Sequence, residues 1–530
     1  MSELSQSTQK LIQGYQNWHL SLQGKEGVST IHVDEVAAAV AAFYEKIREM
    51  VDWREEHLMR RAAVERILKR RLFLLKNSKE TAAPLVLELI RGGHFPNDRI
   101  PELKIEEVQK IIDKYLFILQ NSPAPPDGRR KVQLYDWILG VAACETEESL
   151  CTFHREESLI EYMTESMMEK VMVKEEISEK EKNTQIYIAV QKSLLKLDYP
   201  IITYNLLKKR YSRWQDFVKG ETQLEELAKN IYSIWESIER DFKHPLADKF
   251  YKICERYDTP YLILGDIISD DPMKIQEKIK TAEELEGRIT VVYNKRLNIL
   301  KARIKRAAIY ATLSIFITKI LLVLAVEVPF DKYVTGQFSY FALGLNILIP
   351  PLLMFFLVLT IKPPKKENLQ QVIMEVIKIV YRRERKEAYT IEPSKKRKGL
   401  MSAIITISYL LTFFVSFGTI IWGLNKLDFG IVSIIIFLVF ISLISFAGVK
   451  IRERARELEV MKTKESFLMF FVDLFSLPVI QVGKWLTSQW ARYNVVILLT
   501  NFLIDLPFQS FIEFIEQWRV FLKEKKEKIH

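Results

Sequence analysis

Lys319 is a charged residue in the middle of "IYATLSIFITKILLVLAVEV" (309–328), a largely apolar stretch that is long enough to cross a bilayer. A charge at that depth costs ~2.5–3.5 kcal/mol on insertion scales. We therefore expect a carboxylate, a water-filled cavity or loss of the proton to offset the cost. The simpler alternative is that the lysine only faces protein.

Asp473 and Asp505 are the carboxylates that we expect to pair with Lys319. They lie in two shorter apolar segments, 467–483 and 494–511. If both segments cross, each aspartate is about 9 Å from the same membrane face, and a lysine that leans toward its helix N-terminus approaches that depth. The sequence thus predicts an intramembrane polar site, suited to transport or insertion, formed by Lys319, Asp473 and Asp505.

Other chemistry has no recognisable pattern in the chain. Neither a phosphate-binding glycine loop nor an HExxH zinc arrangement occurs. Cys144 and Cys151 are too far apart for a zinc pair. We therefore expect no enzyme activity, no cofactor and no metal site.

Four apolar segments are each long enough to span a core of ~30 Å. They are residues 307–326, 338–361, 400–424 and 429–449. The segments 467–483 and 494–511 are shorter, and each contains an aspartate and a proline, so they either span or are re-entrant or interfacial. Prolines lack the N–H that a helix needs, so we expect helix kinks at Pro350, Pro351, Pro478 and Pro507.

The linkers between these segments predict the orientation. Residues 362–399 contain twelve Lys and Arg and residues 450–465 contain six, whereas 327–337 and 425–428 contain one each. By the positive-inside rule the two basic loops are cytosolic, and so are both termini. The strict asymmetry suggests a bacterial inner membrane.

The first basic loop contains an amphipathic helix near 367–386, which we expect to lie on the inner leaflet or on the cytosolic domain. The lipid partner is then a bilayer with anionic headgroups. The residues expected to contact these headgroups are Lys365, Lys366, Arg382, Arg383, Arg385, Lys395, Lys396, Arg397 and Lys398.

The N-terminal half is predicted to be α-helical. Residues 1–306 contain 49 basic and 49 acidic residues, so the net charge of +10 belongs to the membrane half. A neutral domain of this kind is not expected to bind nucleic acid.

The predicted fold is all-α: a polytopic helical membrane protein with four confident spans, possibly six, and a large N-terminal α-helical cytosolic domain. The predicted divisions are 1–285 (cytosolic domain, with a possible linker at 121–130), 286–306 (juxtamembrane helix), 307–361 (first hairpin), 362–399 (basic loop), 400–449 (second hairpin), 450–465 (basic loop), 466–511 (two short apolar segments) and 512–530 (basic tail).

The function that this pattern favours is a membrane-anchored scaffold or assembly factor, which docks a protein partner through its helical cytosolic domain. The alternative is a transporter or insertase-like protein that uses the buried Lys/Asp site. An intramembrane cation beside a basic cytosolic hairpin resembles the arrangement in YidC-type insertases, although no sequence motif carries that resemblance. An intramembrane hydrolase is disfavoured because the chain lacks paired aspartates in a recognisable motif.

Overall fold

The chain is almost entirely helical (82%) in a computed structural model. The structure describes residues 4–22, 29–34, 39, 56–74, 81–123, 125, 127–150, 154–174, 177–335, 339–381, 389–392, 399–460, 467–492 and scattered positions between 511 and 525. The chain divides into two compact units. Unit 1 comprises Met1–Lys280, Val380–Ser394 and Thr500–His530, and unit 2 comprises Thr281–Ile379 and Lys395–Leu499.

Unit 1 is a helical domain. Its described helices are α1 (Gln6–Ser21), α2 (Glu56–Leu74), α3 (Ala82–Arg91), α4 (Leu103–Asn121), α5 (Gly128–Leu150), α6 (His154–Lys170), α7 (Glu179–Leu194), α8 (Tyr199–Arg210), α9 (Thr222–Phe242), α10 (Ala247–Asp270) and α11 (Ile275–Lys278).

Helix starts in unit 1 follow the expected capping chemistry. The side chains of Ser5, Ser178 and Asp198 accept hydrogen bonds from the first-turn N–H groups of α1, α7 and α8. One apolar face of α9 is buried, for example at Leu224 and Ile231. Local sequence therefore sets these helices, and burial of one apolar face packs them together.

One small sheet departs from the all-α prediction. Strand β1 (Val171–Val173) pairs in parallel with strand β2 (Tyr389–Ile391), with Val171 opposite Tyr389. Both strands belong to unit 1, so part of the predicted basic loop 362–399 is built into the N-terminal domain. Strands of three residues are too short to give an alternating pattern that the sequence would reveal.

Unit 2 contains the apolar helices. They are α12 (Ala282–Leu322), α13 (Tyr340–Leu359), α14 (Lys366–Tyr381, whose last two residues belong to unit 1), α15 (Gly399–Lys426), α16 (Ile431–Ala455) and α17 (Phe467–Arg492). Beyond Leu322, α12 continues through two wider π-helical turns, Val323–Glu327 and Asp331–Thr335, with one α-helical turn, Val328–Phe330, between them.

Among the residues that the structure describes, four helices are long and apolar enough to cross a membrane, and they confirm the four predicted apolar segments. They cover Ala282–Val334, Tyr340–Leu359, Ala403–Lys426 and Ile431–Ala455. Residues 286–306, predicted as a juxtamembrane helix, continue into the first of them without a break. Residues 467–483 form part of α17, whose 26 residues extend to Arg492.

Small residues allow close helix packing in unit 2. A Cβ on Gly483 of α17 would lie 2.0 Å from the backbone oxygen of Ser442 in α16, so the two backbones are in direct contact. The residues at the α12–α13–α16 contact are apolar instead, with Met354 and Ile444 at the centre of a buried cluster. Close approach and apolar filling both favour van der Waals contact between helices.

Three of the predicted kink prolines lie inside continuous helices. Pro350 and Pro351 are buried within α13, and Pro478 is within α17. Helix α14 has a buried apolar face that includes Val372 and Val376, while Lys365 and Lys366 are exposed. The predictions that lie outside the described residues are those for Asp505, Pro507, Arg382, Arg383, Arg385, Lys395, Lys396, Arg397 and Lys398.

Candidate functional site

Lys319 forms a fully buried ion pair with Glu327, eight residues further along the chain. Their Nζ and Oε1 atoms are 2.6 Å apart, and both side chains are 0% exposed. Glu327 is the last residue of the first π-helical turn that follows α12. Single π-helical turns within α-helices occur frequently at functional sites, and here one carries the carboxylate of the pair.

Three hydrogen-bond donors from three helices converge on the Glu327 carboxylate. Besides Lys319 from α12, the amide of Asn346 in α13 donates to Oε2, and the hydroxyl of Ser433 in α16 donates to the same oxygen at 2.8 Å. Asn346 and Ser433 are 1% and 3% exposed. A buried charge pair is tolerable only when the lone pairs of its carboxylate accept hydrogen bonds in this way. On the other side of the pair, the Lys319 ammonium lies 5.3 Å from the ring centroid of Phe440.

Asp331 brings a second carboxylate to the edge of this cluster. It lies one turn beyond Glu327 and is half-buried, with Oδ2 3.3 Å from the Ser433 hydroxyl. A Cβ at Gly430 would lie 2.7 Å from Asp331 Oδ1. Gly430 is the residue before α16, so its lack of a side chain lets the carboxylate approach a helix N-terminus, where negative charge is favoured.

Asn346 supplies hydrogen-bond acceptors as well as a donor. Its Oδ1 atom is buried and accepts no hydrogen bond from any described residue. Pro350 lies four residues further on and has no N–H to donate to the Asn346 backbone carbonyl, as the helix pattern would require. The proline in α13 thus places a weakly satisfied carbonyl beside the polar cluster.

The structure brings together only part of the predicted site. Lys319 is buried as expected for an offset charge, but its carboxylate partner is Glu327. Asp473 lies in α17 with an exposed side chain, and Asp505 lies outside the described residues. Sequence reasoning missed Glu327 because eight residues of a regular α-helix span about 12 Å along the axis, which places Lys319 and Glu327 far apart. The available signal was that Glu327 is the carboxylate nearest to Lys319 in the sequence.

Unit 1 contains a separate groove of about 400 Å³ between α7 and the α9–α10 region. Its lining includes Lys192, Lys196 and Asp248, together with the ring of Phe242. The Lys192 ammonium lies 4.8 Å from that ring's centroid, and partial burial lowers the pKa of Lys192, an effect that Asp248 opposes. Within the described parts of the chain no carboxylate forms an ion pair with Lys192.

Lys196 lies at the edge of this groove in a strained backbone conformation. Its φ is 52°, in the left-handed region that costs a residue with a side chain ~1–2 kcal/mol. Its Nζ atom is 3.5 Å from Oδ2 of Asp258, which is 2% exposed. Burial raises the pKa of Asp258 to about 7, although Lys196 opposes the shift. Strain of this kind persists where the surroundings hold the residue, often at a ligand site.

Lys114 and Glu145 are a second pair of buried charges, within the core of unit 1. Lys114 of α4 forms an ion pair with Glu145 of α5, and the Tyr115 hydroxyl donates to the same carboxylate at 2.6 Å. Burial raises the pKa of Glu145 and lowers that of Lys114, and each residue opposes the other's shift. In the described ranges of the chain no three His, Cys, Asp or Glu residues are grouped so as to hold a metal ion.

Comparison with known proteins gives no relative. No family model matches the chain, and neither a curated protein nor a solved structure resembles it significantly.

Proposed function

We propose that this chain is an integral membrane protein that acts as a scaffold or assembly factor, anchored by the helices of unit 2 and docking a partner protein through unit 1. In this proposal the basic loops and unit 1 lie in the cytosol, as the positive-inside rule predicts. The membrane is the bacterial inner membrane, with anionic headgroups against the loop lysines and arginines.

The observation that carries the proposal is the closed polar cluster around Glu327. Lys319 suggested transport because an intramembrane charge needs a partner. That partner is on the same helix, both side chains are 0% exposed, and the pair is neutral. With Asn346 and Ser433 it links α12, α13 and α16. Such a cluster supports a role in holding the membrane anchor together.

The groove of unit 1 is the place where we expect the partner to dock. Two lysines, Lys192 and Lys196, and one aspartate, Asp248, line it, and Lys192 has no ion-pair partner in the described part of the chain. Charge complementarity therefore favours an acidic segment of a partner protein, whose carboxylate would replace the hydration that Lys192 loses on burial. The second ammonium, that of Lys196, lies 3.5 Å from Oδ2 of Asp258.

Crosslinking in native membranes tests the docking proposal. The full-length protein and its Lys192→Glu variant are compared with Lys229→Glu, a charge reversal at an exposed lysine of α9. We expect a specific crosslinked partner for the wild type and Lys229→Glu, and its loss in Lys192→Glu. Equal crosslinking in all three proteins, or none above that of an unrelated membrane protein, contradicts the proposal.

A second candidate function is transport or insertion through the polar cluster. The acceptors that favour it are the Asp331 carboxylate at the cluster edge and the buried Oδ1 of Asn346. Lys319→Met and Asp331→Asn would then alter proton leak or membrane-protein insertion, with Lys426→Met, an exposed lysine on α15, as the matched control. Unchanged leak and insertion in both variants, in cells that depend on the protein, eliminate this function.

A further inference from the structure

The C-terminal tail carries a row of exposed aromatic side chains. Every described residue between 511 and 525 is helical. At the spacing of an α-helix, five of these positions lie within about 100° of one another. They are large and apolar, and between 41% and 58% exposed: Phe511, Phe514, Trp518, Phe521 and Leu522. We call this row the aromatic face.

The rings of the aromatic face form one continuous surface. The Phe514 and Trp518 rings are stacked with their centroids 6.2 Å apart, and the Phe521 centroid is 5.7 Å from that of Trp518. Arg519 lies outside this face and donates to Oδ1 of Asp34 at 2.8 Å, within unit 1. The described residues of unit 1 thus contact the tail from another side and leave the aromatic face open. A contiguous exposed apolar surface marks a site of interaction with protein or membrane.

We propose that the aromatic face binds the surface of a bilayer that contains anionic lipid. The tail then lies in the plane of the interface, with its rings at the boundary between headgroups and acyl chains and its lysines at the phosphates. The proposal rests on the membrane anchoring proposed above. It adds a lipid contact that belongs to unit 1 itself, apart from the apolar helices of unit 2.

The charges of the tail suit an anionic surface. Lys525 is exposed beside the rings, with its ammonium 5.6 Å from the Phe521 ring centroid. Residues 511–530 contain five basic and four acidic residues. The periodicity of the sequence predicts the acidic ones on the side opposite the aromatic face, at Glu513, Glu516, Glu524 and Glu527. The charged groups nearest to the rings are therefore predicted to be basic, as in helices that bind anionic lipid.

The position of the tail in the chain favours lipid over a soluble partner. The tail begins where the apolar segment 494–511 ends, and the sequence predicts that this segment spans the membrane, is re-entrant or lies at the interface. In each case the segment ends at the membrane surface, so the tail begins among headgroups. Trp518 suits that depth, because an indole ring is apolar while its N–H group needs a polar partner.

Fluorescence quenching of the full-length protein in lipid nanodiscs, one copy per disc, tests the proposal. Leu522→Cys places the dye NBD on the aromatic face, and Val132→Cys, an exposed position of α5, is the matched control. Cys151 is replaced by serine in both proteins, and Cys144 and Cys254 are buried. The discs contain phosphatidylglycerol and a nitroxide-labelled phospholipid, and iodide in the buffer reports access from water. We expect the lipid nitroxide to quench the label at 522 several-fold more strongly than that at 132, and iodide to do the reverse.

A charge reversal then tests the role of the basic side chains. In the Leu522→Cys protein, Lys525→Glu should lower the ratio of lipid-bound to water-exposed label, read from the two NBD lifetimes, by about fivefold or more. Lys229→Glu, at an exposed lysine of α9, should leave the ratio unchanged. The quenching measurement is repeated with Phe514→Cys, on the same face, so that the result does not depend on the folding of one variant.

Three results would overturn the inference. Equal quenching at 522 and 132, in discs that hold the protein, overturns it and leaves the anchoring by unit 2 intact. A label at 522 that is shielded from iodide but not quenched by the lipid nitroxide shows that protein covers the aromatic face. Failure of the wild type to enter the discs contradicts both this inference and the membrane anchoring on which it rests.

Discussion

Breaking the Lys319–Glu327 pair should be the most destabilising single change in unit 2. We consider Lys319→Met, Glu327→Gln and the double variant. The two ionised atoms are 2.6 Å apart and both side chains are 0% exposed. Removing one partner therefore leaves a buried charge that solvent does not reach. Loss of one member of a buried ion pair typically costs ~3–5 kcal/mol.

The double variant should lose much less than the sum of the single variants. In the double variant no charge is left without a partner. Asn346 and Ser433 can still donate hydrogen bonds, because the Glu327→Gln substitution provides a neutral amide oxygen as the acceptor. We expect a coupling free energy of at least ~1 kcal/mol, in the range found for residues in direct contact. Lys426→Met removes an exposed lysine of α15 and should change the free energy of unfolding by less than ~0.5 kcal/mol.

The assay is reversible unfolding of the purified full-length protein in mixed detergent micelles, from which the free energy of unfolding is extrapolated for each variant. If the losses of the single variants add to that of the double variant within ~0.5 kcal/mol, the two residues do not interact. The buried pair, and the anchoring role derived from it, would then be refuted.

Three further predictions concern other parts of the molecule. Burial raises the pKa of Asp258 from 3.8 to about 7. Between those two pH values the folded state keeps a proton that the unfolded state loses. The free energy of unfolding should therefore fall as the pH rises, by up to ~1.4 kcal/mol per pH unit, and Asp258→Asn should flatten the Tm–pH curve. Gly483→Ala should lower Tm because its Cβ meets the Ser442 backbone. Gly448→Ala is the control and should be tolerated, because its Cβ meets only the flexible end of a leucine side chain. Equal Tm values for the two variants would contradict the close packing of α16 and α17. Thr281→Ala removes a capping box at the start of α12 and should cost ~1 kcal/mol, measured by thermal unfolding against Thr281→Ser, which keeps the cap.

The membrane-like helices could be predicted from sequence because apolar length is a local property. Each of the four segments is a run of about twenty mostly apolar residues, and the helices form where those runs are.

The polar cluster could not be predicted because it depends on helix register. The partner of Lys319 is on its own helix, across a π-helical turn that changes the angle between successive side chains. Asn346 and Ser433 are single polar residues in apolar helices, and only the packing of α13 and α16 against α12 gives them a shared acceptor. An α-helical register alone favoured the more distant aspartates.

The parallel pairing of Val171 with Tyr389 has a consequence for how the protein is made. The partner strand leaves the ribosome more than two hundred residues after the first, which is roughly 10–40 s at ordinary rates of translation. During that interval the nascent N-terminal unit lacks one strand of its structure, while the apolar helices α12 and α13 are synthesised. Completion of unit 1 therefore has to wait until these two helices have left the ribosome.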